Sequence, residues 1–412
     1  MNLDRVIIAV EGGGPTGGAE RIAFDTIKLL SEAGHQVTIV SSAKEVDPEF
    51  AKLPNVDCFT LDLPLHFERF FAGSKLSMML NLSEDREMKR LFSDVLRKID
   101  SPHTIFHAHG FHNFFTQAIL HVATGLKMKT VLTCHDFGIT CPIATLFNYP
   151  DQEICKFKPL SSGCNLSACM GPDAVRLKQL RFARTWASTK AHRVPRKLDK
   201  ILAVSNFERE ILQGQLGSGV KVETLHNPIT PASNSKLSPA RSKEFLWIGR
   251  MTIEKDGVTP ARVCKDLGLP ITFVGDGPTR RDIEAANPDA KLLGWVDADG
   301  VQRAQAGARA LILSSKWYET ASLVVLECLA AGIPCVVPRT SAATDWIEDG
   351  VNGILFDAGD DESLAKALTL LSNDSLVETL SHNAFERYWR TPFTQERYKS
   401  ELLQFYSEAL AQ

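Results

Sequence analysis

The chain has 412 residues, is 44% hydrophobic and 23% charged, and carries a formal net charge of −3. That apolar content supports buried cores and excludes global disorder, while 46 basic against 49 acidic residues exclude nucleic-acid binding through bulk charge. No apolar run reaches the ~18 residues of a membrane span, and Asp4 and Arg5 ahead of a strand-like run are not the start of a secretory signal. The length predicts two domains, and nine cysteines, an odd number, exclude a framework paired wholly within the chain. A cytoplasmic enzyme of two α/β domains is the expectation.

Arg5–Val10 is a short β-branched run that ends at Glu11 and the glycine run Gly12–Gly14. Ala19 to Ala33 has helical apolar spacing with Gly34 as its stop, and Gln36–Val40 is the next strand. Strand, glycine turn, helix and strand make a βαβ unit. The rhythm returns with strands at Thr104–Ala108, Lys129–Thr133 and Lys200–Val204. Nearly continuous apolar strands alternating with helices predict a parallel sheet covered on both faces. Residues 230–243, rich in Pro, Ser and Lys, predict a linker after Asn227-Pro228. The rhythm then restarts, with strands at Phe245–Ile248, Ile271–Val274, Lys291–Leu293, Ala310–Leu313, Pro334–Val337 and Gly353–Phe356. Helices are expected at Asp361–Leu371 and Ser375–Tyr388. A closing amphipathic helix is expected at Thr394–Leu410, with Tyr398, Leu402, Phe405 and Leu410 inward. The predicted domains are 1–229 and 244–390, followed by the closing segment 391–412.

Charge is unevenly spread. Residues 1–229 hold 27 basic and 24 acidic side chains, so the remainder is acidic overall. Arg176–Lys200 holds nine Lys or Arg and one acid, Asp199, interleaved with Leu177, Leu180, Phe182, Trp186 and Val194. Such a stretch suits either an anionic membrane surface or a solvated face over ordinary core.

Gly12, Gly14 and Gly17 match a G-x-G-x-x-G spacing between strand and helix, a context for anion binding at a helix N-terminus. Ser41, Ser42 and Ala43 follow the second strand where a dinucleotide fold carries an acid, so a dehydrogenase is disfavoured. His107 and His109 stand at a strand end, with one functional histidine expected there. Arg250, after Trp247-Ile248-Gly249, and Lys255 form a candidate diphosphate clamp. Gly275-Asp276-Gly277-Pro278 and Gly294-Trp295 are strand-end turns. Glu319 to Glu327 opens a helix whose first amides, Thr320, Ala321, Ser322 and Leu323, would face an anion or sugar hydroxyls.

Together these motifs resemble the retaining glycosyltransferases of family 4 over almost the whole chain. The resemblance rests on Gly17-Gly18-Ala19-Glu20, the His109 strand end, Ala203-Val204-Ser205-Asn206 and Asn227-Pro228. It rests further on Gly249-Arg250 with Lys255, the two strand-end turns, and above all the Glu319/Glu327 pair with Gly332-Ile333-Pro334 behind it. It implies the GT-B architecture, two facing Rossmann-like domains, here with a cysteine-rich insertion at about 134–171. The implied activity is metal-independent hexosyl transfer, with retention, from a nucleoside-diphosphate sugar to a glycan or lipid-linked acceptor in surface polysaccharide or lipopolysaccharide synthesis. By this resemblance Gly17 and Gly18 approach the donor diphosphate, and His109 contacts the donor sugar. Arg250 and Lys255 neutralise the leaving group, Glu319 contacts the sugar and Glu327 the ribose, and Gly275, Trp295 and Thr320–Leu323 line the donor site. Two departures stand out: Asp256 occupies the position where a glycine commonly follows the clamp lysine, and Thr320 and Ala321 replace glycines. An epimerase or phosphorylase of the same fold, or a non-catalytic sugar-nucleotide binder, is the alternative. No catalytic cofactor is expected.

Cys141, Cys155, Cys164 and Cys169 lie in a segment poor in periodicity, which calls for a staple. Four thiolates around a structural zinc, or unlinked thiols, are the expected states in a reducing compartment. Peripheral association with the inner face of a membrane, through Arg176–Lys200, is the expected localisation beyond the cytoplasm.

Overall fold

The computed structural model describes residues 3–411 apart from positions 100, 102 and 232. Met1, Asn2, Asp100, Pro102, Ala232 and Gln412, which fall within the expected domains and linker, lie outside the described residues. The chain forms two compact units. One holds the chain up to Leu146, Lys156–Pro228 and everything from Gln395 onward; the other holds Phe147–Cys155 and Ile229–Thr394.

In the first unit the strands are β1 (Arg5–Val10), β2 (Gln36–Ser41), β3 (Val56–Thr60), β4 (Thr104–Ala108) and β5 (Lys129–Cys134). They are followed by a small hairpin, β6 (Phe147–Asn148) and β7 (Glu153–Ile154), and by β8 (Lys200–Ala203) and β9 (Val222–Thr224). Seven of them make a parallel sheet in the order β3-β2-β1-β4-β5-β8-β9. Val6, Ile7 and Ile8 of the interior strand β1 are wholly buried, as strands covered by helices on both faces must be. The edge strands β3 and β9 were not expected. Val56–Thr60 is mostly half-buried or exposed, and β9 has three residues, so neither carries an apolar run.

In the second unit β10 (Phe245–Ile248), β11 (Ile271–Val274), β12 (Lys291–Leu292), β13 (Ala310–Ile312), β14 (Cys335–Pro338) and β15 (Gly353–Phe356) make a six-stranded parallel sheet. Their order is β12-β11-β10-β13-β14-β15. Phe245, Trp247, Phe273 and Ile312 pack on one face of it and Leu246, Val274, Leu311 and Val337 on the other. Both units are therefore doubly wound Rossmann-like sheets.

The last helix, Gln395–Ala411, belongs to the first unit by its contacts. Tyr398 Oη lies 2.8 Å from Thr26 Oγ1, and Tyr406 Oη lies 2.7 Å from His107 Nδ1. Its buried residues are Tyr398, Leu402, Tyr406 and Ala409. The expected inward Phe405 and Leu410 are only half-buried, and Lys200 Nζ lies 5.3 Å from the Phe405 ring centroid.

The basic stretch departs from expectation. It is built from an α-helix (Val175–Trp186), a π-helix (Ala187–Ala191) and a 3-10 turn (Val194–Lys197), and it is neither wholly a surface nor wholly solvated. Lys178, Arg184 and Lys200 are buried. Lys178 donates to the carbonyls of Cys164 and Asn165, Arg184 to the Asn81 carbonyl, and Lys200 to Glu223 and Glu408. Burying a cation is costly unless it is paired, so these side chains serve the fold and cannot face a membrane. Arg176, Lys190, Arg193, Arg196 and Lys197 remain exposed.

Candidate active site

Open α/β sheets bind ligands beyond the carboxyl ends of their strands, where the strand order reverses. In the first sheet that point lies between β1 and β4, which pair with Ala9 opposite Ala108. The glycine turn leaves β1 there, and His109 leaves β4 with its amide 3.3 Å from the Ala9 carbonyl. Gly17 is the N-cap of the helix Gly18–Glu32 and supplies no side-chain cap, which leaves the first amides of that helix available to an anion. A Cβ on Gly13 would stand 2.3 Å from the Glu45 carbonyl, so that glycine is required by the turn itself, whereas a Cβ on Gly18 would meet nothing within 4 Å. Glu11, at the turn's start, accepts the amides of Asn113, Phe114 and Phe115 on one oxygen, each at 2.9 Å, and thereby shapes the loop after His109. Burial pushes its carboxyl above the ordinary range, against the opposing pull of His112 and those amides.

The two strand-end histidines differ in kind. His107 is wholly buried, with Nδ1 on Tyr406 and Nε2 2.8 Å from Thr133 Oγ1, so both ring nitrogens are committed to packing. His109 lies with Nδ1 3.1 Å from His135 Nε2, while its own Nε2 is buried without a hydrogen-bond partner. Burial, then the charges of His107 and His135, hold its pKa well below the ordinary imidazole value. A neutral imidazole with one uncommitted nitrogen can contact a polar ligand atom. Behind it His112 and Asp136 pair at 3.0 Å. His135 and Asp136 were not singled out for this role by their spacing, and only the pairing of β4 with β5 brings them beside His109.

In the second sheet the reversal lies between β10 and β13. Arg250 and Lys255 follow β10, and the Glu319 segment follows β13. Lys255 Nζ donates to both carboxylate oxygens of Glu319, at 2.8 and 2.6 Å. Ser315 Oγ and Trp317 Nε1 donate to the same carboxylate at 2.9 and 3.1 Å, and Lys255 lies 5.2 Å from the Trp317 ring centroid. Burial opposes the charge, but Lys255 and these donors hold Glu319 below the ordinary carboxyl range. Ser315 and Trp317 were missed because the loop Ser314–Tyr318 carries no periodic signal. Arg250 is exposed and makes no side-chain hydrogen bond or ion pair among the described residues.

Asp256 has φ 50°, a left-handed conformation that favours glycine and tolerates aspartate. Its carboxylate lies 3.2 Å from Lys316 Nζ, so the charge beside the clamp is met locally. Gly275 has φ 127°, and a Cβ there would stand 1.9 Å from the Gly249 carbonyl. Its amide donates to the Gly294 carbonyl at 2.8 Å, so the turns after β10, β11 and β12 lock together through backbone. Trp295 beyond Gly294 is 81% exposed. The helix opens later than expected, at Leu323 with Ser322 as N-cap, which places Thr320 and Ala321 outside it and Glu327 on its second turn. The thiol of Cys141 is pushed up to about 12 by burial, with Cys164 and Cys169 close enough to add to the rise. Cys155 lies in the segment grouped with the second unit.

Each unit is a Rossmann-like sheet with polar and glycine-turn residues gathered at its own switch point, which defines a protein of two doubly wound α/β units. Residues 16–233 match Glycosyltransferase Family 4, and residues 242–374 match Glycosyl transferases group 1. The chain belongs to glycosyltransferase family 4. Among curated relatives, a GDP-mannose-dependent alpha-mannosyltransferase of Corynebacterium glutamicum is 27% identical over 179 residues, 42% of each chain. The sulfoquinovosyl transferase SQD2 of Arabidopsis thaliana is 30% identical over 163 residues, 37% of this chain and 32% of that protein. The matched region thus spans less than half the length of these relatives. The lipopolysaccharide core biosynthesis glycosyltransferase LpsD of Rhizobium meliloti is 25% identical, over 58% of this chain and 76% of that protein. Among solved structures, HepE of Anabaena in complex with UDP shares the fold over 98% of this chain and 100% of its own, with TM-score 0.65 and 17% identity. Sucrose-phosphate synthase of Thermosynechococcus elongatus shares it over 99% of both chains, with TM-score 0.70 and 16% identity.

Proposed function

We propose that the chain is a retaining glycosyltransferase that moves a hexosyl group from a nucleoside-diphosphate sugar to a glycan or lipid-linked acceptor in surface polysaccharide or lipopolysaccharide synthesis. The observation that carries this reading is the Lys255–Glu319 pair at the switch point of the second sheet, with the exposed Arg250 on the same segment after β10. As the bond from C1 to the leaving phosphate oxygen breaks, its electron pair goes to the diphosphate and positive charge gathers on the ring. The acceptor hydroxyl oxygen bonds to C1, and its proton passes to the released diphosphate or to solvent. Arg250 and Lys255 supply fixed positive charge where the leaving group becomes more negative, the preorganised electrostatics that lower such barriers. Glu319 orients Lys255 and offers its carboxylate to sugar hydroxyls, and Glu327 offers one to the ribose. The uncommitted nitrogen of His109 and the open amides at Gly17 and Gly18 are the first unit's contribution.

The lipid-linked acceptor is supported by one surface of the first unit. Leu76 and Met79, on the helix Lys75–Asn81, are 66% and 77% exposed, and Arg184, two residues before the exposed Trp186, donates to the Asn81 carbonyl at the end of that helix. No described helix is long and apolar enough to cross a membrane. A structural zinc on Cys141, Cys155, Cys164 and Cys169 stays part of the reading as an expectation from their spacing; among the described residues no three of these thiols lie within 4.8 Å of one another, and Cys155 is grouped with the second unit. Metal content of protein purified without chelator tests it.

The activity is tested by incubating the full chain with a panel of sugar nucleotides, with and without glycan and lipid-linked acceptors. Acceptor-dependent release of nucleoside diphosphate, with retained anomeric configuration in the product, is expected. Product from donor alone would point to an epimerase, and failure to bind or turn over any donor would overturn the proposal.

A further inference from the structure

A second cluster of chemistry-bearing side chains lies in the first unit, apart from the sheet edge that carries His109. Glu84 stands in the turn before the helix Arg86–Ile99, His121 is on the helix Ala118–Gly125, and His192 directly follows the π-helix Ala187–Ala191. One ligand-capable atom from each lies within 4.8 Å of the other two. His192 Nε2 contacts Glu84 Oε1, and the His121 and His192 rings stand 4.4 Å apart, centroid to centroid. The three line a cavity of about 20 Å³ together with Lys89, Gln117 and Arg184. That is room for one water-sized body, since such a body needs roughly 10–15 Å³. The wall also holds unanswered polarity. Gln117 is 8% exposed and its Oε1 has no hydrogen-bond partner, although its amide nitrogen donates to the Gly138 carbonyl. An unpartnered buried polar atom calls for an explanation, of which a bound water or ion is one.

We propose that Glu84, His121 and His192 hold a divalent transition-metal ion of the zinc class. Two imidazoles and a carboxylate are a recurrent zinc donor set, with a fourth position open to water. Burial, followed by the charges of Lys89 and His192, holds His121 down to about 4, so its ring is neutral at pH 7. Glu84 is kept below the ordinary carboxyl range, its burial outweighed by Lys89 and His192. The π-helix places His192, since the His192 amide donates to the Ala187 carbonyl five residues back, and such bulges recur at functional sites. The ion would join the turn before one helix to a second helix and to the end of the π-helix, so its role is to fasten this face of the unit. Lys89 Nζ, 2.8 Å from Glu84 Oε2, is the competing cation and sets the affinity below that of an unopposed site.

The test is titration of chelator-treated full-length protein with zinc against a competing indicator, followed by cobalt substitution and visible spectroscopy. Wild-type protein should bind one equivalent that His121→Ala and His192→Ala lose. Removing either ligand should weaken this equivalent by more than the roughly 10- to 100-fold that loss of an outer-shell partner costs. Cobalt at this equivalent should show d–d bands without thiolate-to-cobalt charge transfer, which separates it from any cysteine site. Lys89→Gln should bind more tightly, a gain that a misfolded variant cannot mimic. Zinc should raise the melting temperature of the wild type by more than that of Glu84→Gln. Equal stoichiometry and affinity in the histidine variants, a cobalt spectrum carried only by thiolates, or no binding by the wild type would each overturn the proposal.

Discussion

Lys255 and Glu319, 64 residues apart in the chain, meet through two hydrogen bonds at 2.6 and 2.8 Å. The pair sits where the second sheet reverses its strand order, with side chains only 18% and 10% exposed. Removing the carboxylate strands a cation in a partly buried place. Glu319→Ala should therefore destabilise the second unit at pH 7 by on the order of 3 kcal/mol, as breaking one side of a buried pair does. Because the folded-state pKa of Glu319 is depressed below 4.5, this contribution is complete above that value and fades as pH falls through the folded pKa. Urea denaturation of wild type and variant at pH 7 and below pH 4.5 checks it; a difference that does not shrink on acidification contradicts the pairing.

Arg250 is exposed and supports no packing, so Arg250→Ala should leave the melting temperature unchanged. Turnover should fall on the order of 10²- to 10³-fold, the usual cost of deleting one preorganised charge-stabilising donor. Near-normal release of nucleoside diphosphate by a folded variant would remove Arg250 from the clamp.

Gly13 and Gly18 differ in what a side chain would meet. Gly13→Ala drives a methyl to 2.3 Å from the Glu45 backbone and should lower stability, whereas Gly18→Ala meets open space. For Gly18→Ala the melting temperature should hold while KM for the donor rises, because only a bound ligand would feel the added methyl. An unchanged KM would show that the ligand does not approach Gly18.

The buried histidines make the first unit acid-sensitive. His66, His107, His121 and His135 are held down to about 2, 3, 4 and 4 by burial, and His109 well below 6.5. Below pH 6.5 the unfolded chain takes up protons that the folded unit refuses, so stability falls with pH by about 1.4 kcal/mol per unit for each proton. His35 is lowered by burial as well. Asp25, Glu11 and Glu208, raised by burial, oppose this because they bind protons first in the folded state. Six histidines against three carboxyls leave a net loss between pH 6.5 and about 4. Melting curves over that range should show it, and a flat profile would mean that the rings are solvated.

Amino-acid order alone determined the fold class and the residues at the strand ends. Parallel strands covered on both faces leave apolar runs in the chain, and the glycine turns, Arg250, Lys255 and Glu319 stand in local motifs beside those runs. The edge strands β3 and β9 escaped because a strand with one open side needs no such run. Tertiary structure alone decided what each polar side chain does. The basic stretch read as a surface until packing buried Lys178, Arg184 and Lys200 on carbonyls and carboxylates from distant segments. His107 and His109 are near neighbours in sequence, yet Tyr406, from a helix some three hundred residues later, commits the first to packing, while the second keeps one nitrogen uncommitted. Hydrogen-bond partners come from strand order and the return of the last helix, which local spacing does not encode, because a charge or an imidazole takes its chemistry from whatever the fold sets against it.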